Sequence, residues 1–256
     1  MRRKWVIGNW KMHGSRDSIA ALLAGYDFSG VDADVAIAIC PTSLHIPYVA
    51  ELMAADETLA QRITLGAQNA SEAEAGAFTG EVAAAMLAEA GVAAVLLGHS
   101  ERRMLFGESD EQVAAKVAAA LTAGLQPVVC VGETLEQRQA GETQAVVLRQ
   151  LNAVAAAVGA EGLARSIVAY EPVWAIGTGE TATPEQAQAV HAGLRQRLRE
   201  IGGDGEGLAA QTAILYGGSV SAGNAAELFA QPDIDGGLVG GASMKAAEFS
   251  TICSSF

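Results

Sequence analysis

Residues 167–180 read IVAYEPVWAIGTGE and join a short apolar run to a carboxylate and a glycine-containing segment. The first four residues are apolar, and Glu171 follows them directly. Pro172 has a fixed φ and biases Glu171 toward extended geometry. Gly177 and Gly179 permit backbone angles that other residues resist. The pattern predicts a general base at the end of a buried strand, beneath a loop that closes over it.

Similar apolar runs are spread along the whole chain, and helical patterns separate them. Strands that are buried on both faces read as nearly continuous apolar runs, which is typical of parallel sheets. The eight predicted strands are Lys4–Gly8, Val35–Cys40, Ile63–Ala67, Ala93–Leu97, Pro127–Val131, Ser166–Tyr170, Ala213–Tyr216 and Gly237–Val239.

Two sequence signatures predict where helices begin between these strands. Ser109–Gln112 and Thr183–Gln186 both have the pattern of a capping box, in which the first and fourth residues exchange hydrogen bonds. Val113, Val117 and Leu121 then fall four residues apart, as on one face of a helix.

Strands and helices alternate through 256 residues, which predicts the α/β class and a closed (β/α)8 TIM barrel of eight parallel strands. An open doubly wound sheet is the rival, but it usually has a GxGxxG turn after its first strand. Here the first strand continues into Gly8-Asn9-Trp10-Lys11. We interpret the glycine-rich segment Gly202–Gly207 as a surface loop. No linker is visible, so we expect one domain over residues 1–256.

The composition restricts the class of partner. The chain has 16 lysines and arginines against 29 acidic residues, a net charge of −13. This argues against nucleic acid and anionic membrane surfaces as partners. The three isolated cysteines, with no signal peptide and no spanning apolar run, predict a cytoplasmic protein. A small anionic substrate remains compatible if the site holds a local positive charge.

Polar residues cluster where the predicted strands end, which is where barrel enzymes carry their chemistry. Asn9 and Lys11 follow the first strand, His99 and Glu101 follow the fourth, and Glu171 follows the sixth. Lys11 supplies a positive charge for an anion. A helix begins after His99, and its N-terminus disfavours imidazolium, so we expect a neutral ring that donates to a carbonyl. For Glu101, a catalytic role and a helix-start carboxylate both remain open.

Glycine pairs follow the last two strands, at Gly217-Gly218-Ser219 and Gly240-Gly241. One pair alone often marks only a tight turn. Two pairs on adjacent strands leave backbone N–H groups uncovered, and such groups bind phosphate. The pattern predicts a phosphate site beside the candidate base.

Together these segments resemble the triosephosphate isomerase family over essentially the whole chain. The matching motifs, in family order, are GNWKM (8–12), GAQN (66–69), GAFTGE (76–81), GHSERR (98–103), FGESD (106–110), CVGE (130–133), AYEPVWAIGTG (169–179), YGGSV (216–220) and DGGLVGGAS (235–243).

The resemblance implies interconversion of dihydroxyacetone phosphate and D-glyceraldehyde 3-phosphate, in glycolysis and gluconeogenesis, without a cofactor or metal. Glu171 matches the base that shuttles a proton through an enediol(ate), and His99 matches the neutral electrophile. Lys11 and Asn9 match the residues that hold the substrate, and Glu101 matches a catalytic-site position of less defined role. This pairing of base and electrophile in triosephosphate isomerase is a known example of pKa tuning.

The resemblance also implies a phosphate cradle, and it implies a partner. The cradle residues are Gly177, Ser219, Gly240 and Gly241. The family is usually a homodimer whose third βα loop enters the partner subunit, and that loop corresponds here to Asn69–Glu81. Glu180, at the far end of the lid, stands where the family often has lysine.

Two alternatives remain. The first is another phosphate-binding barrel enzyme, such as an aldolase or a different sugar-phosphate isomerase, and the second is a binding protein. A Schiff-base aldolase needs a lysine within a barrel strand, but the predicted strands offer only Lys4, at the wrong end of the first strand. A binding protein that has lost catalysis would keep the barrel and the phosphate cradle. The presence together of Asn9, Lys11, His99 and Glu171 argues against that class.

Overall fold

The computed structural model describes residues 2–176, 181–203 and 206–256, and eight parallel strands form a closed barrel in it. The strands are β1 (Lys4–Asn9), β2 (Val35–Cys40), β3 (Ile63–Ala67), β4 (Ala94–Leu97), β5 (Gln126–Val131), β6 (Ile167–Tyr170), β7 (Ile214–Tyr216) and β8 (Gly236–Val239). The predicted fold class is confirmed, and each predicted strand end lies within one residue of the observed one.

The register of β1 shows how the barrel closes. On one side β1 pairs with β2 from Lys4↔Val35 onward. On the other side it pairs with β8, from Trp5↔Gly236 to Gly8↔Val239. The first and last strands are therefore neighbours, and the barrel has no open edge.

Helices surround the barrel and connect its strands. They are α1 (Arg16–Ala24), α2 (Ile46–Ala55), α3 (Glu57–Arg62), α4 (Ala84–Glu89), α5 (Ser100–Phe106), α6 (Asp110–Thr122), α7 (Leu135–Gln139), α8 (Thr143–Ala164), α9 (Pro184–Ile201), α10 (Glu206–Gln211), α11 (Ala225–Phe229) and α12 (Ala246–Cys253). Short 3₁₀ turns lie at Ser43–His45, Val173–Ala175 and Gly241–Met244. Within α8 the helix is interrupted at Gly159, which has a φ of 65°.

Both predicted capping boxes are confirmed. Ser109 caps α6 and exchanges hydrogen bonds with Gln112, and Thr183 caps α9 in the same way with Gln186. The prediction of a surface loop over Gly202–Gly207 was wrong at its end, because α10 begins at Glu206. Because α10 has only six residues and glycines accompany it, the sequence shows no helical period there.

Two apolar layers separate the inside of the barrel from its outer face. One cluster lies inside the barrel and uses alternate strand residues, many of them small, such as Ala38, Cys40 and Ala169. The second lies between the strands and the helices and holds larger side chains such as Ile37 and Tyr170. Because all strands are parallel, their carboxyl ends meet at one rim, where the chain can assemble a site.

Candidate active site

Glu171 lies at the end of β6, and its side chain is 2% exposed. Its backbone N–H donates to Val131 of β5 over 2.7 Å. Its Oε2 accepts the backbone N–H of Ser100, at 2.9 Å. Its Oε1 is 2.9 Å from Nε2 of His99 and has no other polar partner within the described chain. The carboxylate is thus held by one oxygen and unsatisfied at the other.

His99 is the N-cap residue of α5, and the local helix geometry fixes its ring. Its Nδ1 accepts the backbone N–H of Glu101 over 3.3 Å. Nδ1 therefore lacks a proton, and in the neutral ring Nε2 carries the only one. This nitrogen faces Glu171.

The charge around His99 differs from the sequence-based expectation. Burial lowers the pKa of the imidazole, but the carboxylates of Glu171 and Glu101 outweigh burial and raise the pKa above its ordinary value. The sequence argument considered only the helix N-terminus, which favours the neutral ring. It omitted a buried carboxylate that lies 72 residues away in sequence (99 to 171) and directly against the ring.

Lys11 follows β1 with a φ of 53°, the one positive φ of a non-glycine residue in the described chain. Its backbone N–H donates to Oδ1 of Asn9 at 3.0 Å, and its carbonyl accepts from the Gln68 side chain at 2.7 Å. Its ammonium contacts Oε1 of Glu101 at 2.5 Å. The backbone and the charge of Lys11 are therefore both fixed by neighbouring side chains.

A cavity of about 430 Å³ opens at the rim and brings these groups together. Asn9, Lys11, His99 and Glu171 line one part of it. Glu101 does not line this cavity but holds the Lys11 ammonium at its edge. A molecule of a few carbon atoms fits this volume.

Glycines and one serine line the other part of the same cavity. A Cβ atom on Gly241 would meet no other atom within 4 Å, and one on Gly240 would lie 3.5 Å from Cε of Lys11. The backbone is therefore accessible there. Ser219 lines the cavity and donates its hydroxyl to the carbonyl of Ala175 at 2.8 Å. Gly177 and Glu180 lie outside the described residues.

Buried Glu133 holds the segment that follows Glu171. Its Oε1 accepts from the Tyr170 hydroxyl at 3.1 Å and from the Trp174 indole at 2.9 Å. The guanidinium of Arg138 stacks over the Trp174 ring at 4.2 Å. The start of the predicted lid is therefore anchored to the loop after β5.

A second cavity, of about 660 Å³, lies beside the first one at the rim. Asn9, Lys11 and His99 line both cavities. Exposed apolar side chains, including Leu105 at 72% and Phe106 at 68%, line the second one. Asn9, Lys11 and His99 therefore form a wall between two cavities of different character.

The described ranges show neither a metal-binding cluster nor a membrane-spanning helix. Over residues 2–176, 181–203 and 206–256, no three His, Cys, Asp or Glu side chains form a group that could hold a metal ion. In the same ranges, no helix has both the length and the apolar composition to cross a membrane.

Sequence reasoning missed three residues that support the site. Gln68 and Glu133 lie within quoted motifs but received no role, and Gln150 was not considered. Gln150 had one available signal: it occupies the core-facing stripe of α8 with Val147, Leu151 and Val154. A polar residue on such a stripe needs a buried partner.

The barrel and its rim define a (β/α)8-barrel enzyme with a carboxylate, an imidazole and an ammonium at the carboxyl ends of its strands. A family model described as triosephosphate isomerase matches residues 4–256. A triosephosphate isomerase of Thiobacillus denitrificans is 56% identical over 255 residues, covering 99% of this chain and 98% of the relative.

Two further relatives give the same result. A triosephosphate isomerase of Cupriavidus taiwanensis is 56% identical over 98% of this chain and 99% of its own length. One of Pseudomonas putida is 54% identical over 99% and 98%. The chain belongs to the triosephosphate isomerase family and is an isomerase.

Proposed function

We propose that the protein interconverts dihydroxyacetone phosphate and D-glyceraldehyde 3-phosphate by moving one proton between adjacent carbons. The observation that carries this proposal is the Glu171 carboxylate, buried at the cavity wall with one oxygen unpartnered in the described chain and an imidazole nitrogen 2.9 Å away. A base and an electrophile side by side are what an aldose–ketose isomerisation needs.

Glu171 acts as the base. Its carboxylate removes a proton from the carbon that bears the hydroxyl group, and the electrons left behind form an enediol(ate). The same carboxyl group returns the proton to the neighbouring carbon, while the hydroxyl proton of the substrate passes to the former carbonyl oxygen, so that ketose and aldose contain the same atoms. The Ser100 N–H bond to Oε2 keeps Oε1 directed at the substrate side.

His99 acts as the electrophile through the N–H at Nε2, which donates to the substrate carbonyl oxygen. A substrate between His99 and Glu171 separates the two groups, so the interaction that raises the pKa of His99 weakens and the neutral ring is favoured. The Nδ1 contact with the α5 N-terminus acts in the same direction.

Lys11 and Asn9 hold the substrate and stabilise negative charge on the enediolate. In a protein of net charge −13, the Lys11 ammonium is the local cation that attracts an anionic substrate. Glu101 is assigned to the catalytic group through its contact with that ammonium.

Gly177, Ser219, Gly240 and Gly241 bind the phosphate of the substrate. The open backbone at the last two supports this assignment. A lid that extends from Pro172 to about Ala182 closes over the phosphate and excludes water, which also limits elimination of phosphate from the enediolate.

The protein acts as a homodimer through the loop Asn69–Glu81. The second cavity and the exposed Leu105, Phe106 and Phe78 support this part of the proposal, since contiguous exposed apolar surface marks interaction sites. The partner loop would pack against the outer side of Lys11 and His99 and complete the wall of the site.

The remaining assignments follow from the reaction. The protein works as one domain over residues 1–256, in the cytoplasm, in glycolysis and gluconeogenesis. Base and electrophile come from the chain, so the proposal includes no cofactor and no metal.

An enzyme-coupled assay tests the function in both directions. With glyceraldehyde 3-phosphate as substrate, glycerol-phosphate dehydrogenase consumes the ketose product and NADH absorbance falls. With dihydroxyacetone phosphate, glyceraldehyde-phosphate dehydrogenase reports the aldose. We expect saturable turnover in both assays. No turnover above the uncatalysed rate in either direction would overturn the proposal.

A further inference from the structure

The end of β5 has backbone groups that no strand can satisfy. β4 pairs with β5 as far as Leu97↔Val129, and the chain then turns at Gly98, whose φ is 72°, into α5. In a parallel ladder, alternate residues direct N–H and C=O toward the same neighbour. Val131 faces β6, so Gly132 faces the side that β4 has already left.

The carboxamide of Gln150 takes the place of the missing strand. From α8, its Oε1 accepts the Gly132 N–H at 2.7 Å, and its Nε2 donates to the Gly132 carbonyl at 3.1 Å. The residue is only 5% exposed. A single side chain thus satisfies both backbone polar groups of one residue, as a neighbouring strand would.

Gly132 is in direct contact with the backbone of the candidate base. A Cβ atom at Gly132 would lie 1.8 Å from the carbonyl oxygen of Glu171. On either side of it the ladder continues: the Glu171 N–H donates to Val131, and the Val173 N–H donates to Glu133 at 3.1 Å. The position of Gly132 therefore constrains both the base and the first turn of the lid.

We propose that Gln150 is a positioning residue for Glu171, acting through Gly132; this inference rests on the proposed isomerase function. Gln150 touches neither the 430 Å³ cavity at the rim nor the reacting atoms. It fixes the backbone from which the carboxylate projects, and the free oxygen of that carboxylate must meet a carbon-bound proton. Misplacement by about 1 Å costs up to roughly 100-fold in rate.

The surroundings of Gln150 leave room for the backbone to move when its side chain is lost, so we expect a local shift and not unfolding of the barrel. Gly132, Gln150, Glu171 and Val173 together line a separate cavity of about 430 Å³ on the helix side of the rim. The segment has room to shift there. Within the described ranges, the hydrogen bonds that hold Gly132 on that side are the two of the Gln150 carboxamide.

Gln150→Met tests the inference, because methionine has a similar volume but forms neither hydrogen bond. The matched control is Gln144→Met on the same helix. The Gln144 carboxamide also donates to a backbone carbonyl, that of Ala189 at 3.1 Å, but the contact lies away from the site. Steady-state kcat and KM for glyceraldehyde 3-phosphate and the thermal midpoint are measured for both variants and the parent.

We expect Gln150→Met to lower kcat roughly 10- to 100-fold while KM changes about threefold or less. The control should keep the kcat of the parent. A kcat for Gln150→Met equal to that of the control overturns the inference, whatever happens to the thermal midpoint. A parent with no turnover would instead overturn the proposed function itself.

Gln150→Ala keeps the test decisive if the methionine variant does not fold. Its shorter side chain lets water from the adjoining cavity reach Gly132 and satisfy the backbone. We expect a smaller decrease in kcat, again with KM nearly unchanged. An unaltered kcat in this folded variant would likewise refute a positioning role.

Discussion

The two sides of the barrel mouth differ in structure: one is held by specific hydrogen bonds, and the other exposes its backbone. On the carboxylate side, formed by the ends of β4, β5 and β6, specific hydrogen bonds hold the chain: the Ser100 backbone N–H, the Gln150 carboxamide and the Trp174 indole each take part in one there. On the glycine side, formed by the ends of β7 and β8, Gly240 and Gly241 leave the backbone uncovered.

This difference matches two chemical tasks. Proton transfer requires a side chain held within a fraction of an ångström, so buried residues surround it with specific bonds. Binding of a phosphate oxyanion requires accessible N–H groups, so side chains are absent. Substitutions on the carboxylate side should therefore affect kcat or stability, whereas those on the glycine side should affect KM.

The largest expected effect is on the carboxylate side. Glu171→Asp withdraws the carboxylate by one methylene group from both Ser100 and His99. We expect kcat to fall about 10²- to 10⁴-fold, the usual contribution of a positioned base, with a much smaller change in KM. Coupled-assay kinetics in both directions measure this, and a near-parental kcat would remove Glu171 from the base role.

Lys11 lies between the two sides and should affect both parameters. In the proposed mechanism the Lys11 ammonium attracts the anion and stabilises the enediolate. Lys11→Ala removes it, so we expect kcat/KM to fall at least about 10²- to 10³-fold, through binding and turnover together. Lys4→Ala, at the opposite end of β1, is the control and should retain activity. Unchanged turnover for Lys11→Ala would contradict its assignment.

A pair of glycine substitutions compares the two sides directly. Gly132→Ala would bring a methyl group 1.8 Å from the Glu171 carbonyl oxygen, so we expect the free energy of unfolding to fall by about 3 kcal/mol. Gly241→Ala meets no atom, and stability should change by less than about 0.5 kcal/mol. Its methyl group should instead raise KM. Urea unfolding and kinetics of both variants would reveal a reversed pattern if the comparison is wrong.

The smallest expected effect at neutral pH concerns His191, which is buried on α9 behind β6 and β7. Burial lowers its pKa to about 3, so between about pH 6.5 and pH 3 the unfolded chain binds a proton that the native protein does not. This contribution makes the folded state less stable as pH falls, by about 1.4 kcal/mol for each pH unit within that window.

His191→Leu should reduce this pH dependence. The Asp233 carbonyl keeps a hydrogen bond from Arg195, so the neutral-pH stability of the variant should remain close to that of the parent. Unfolding free energies measured between pH 7 and pH 4 should decline less steeply for the variant. Parallel curves for the two proteins would show that His191 does not contribute.

The strands and caps were predictable from the sequence because their causes are local. Parallel strands buried on both faces read as apolar runs, and a capping box needs only four residues, as at Ser109–Gln112. The candidate site residues were predictable from their position after strand ends. The loop prediction for Gly202–Gly207 was wrong at its end because the local signals conflict: the glycines indicate a loop, whereas a short helix begins there.

The supporting contacts were not predictable, because they depend on which distant groups meet. Lys11 and Glu101 are 90 residues apart in sequence and form an ion pair. The role of Gln150 depends on the length of β4, since a longer strand would have satisfied Gly132 itself. The raised pKa of His99 could not be predicted without knowing that a buried carboxylate lies against its ring.

The left-handed backbone of Lys11 has an evolutionary consequence. A side chain in that conformation costs about 1–2 kcal/mol relative to ordinary geometry, and glycine would relieve most of the cost. Glycine, however, has no ammonium. Under the proposed function, selection for a more stable fold and selection for turnover therefore act in opposite directions at this one position.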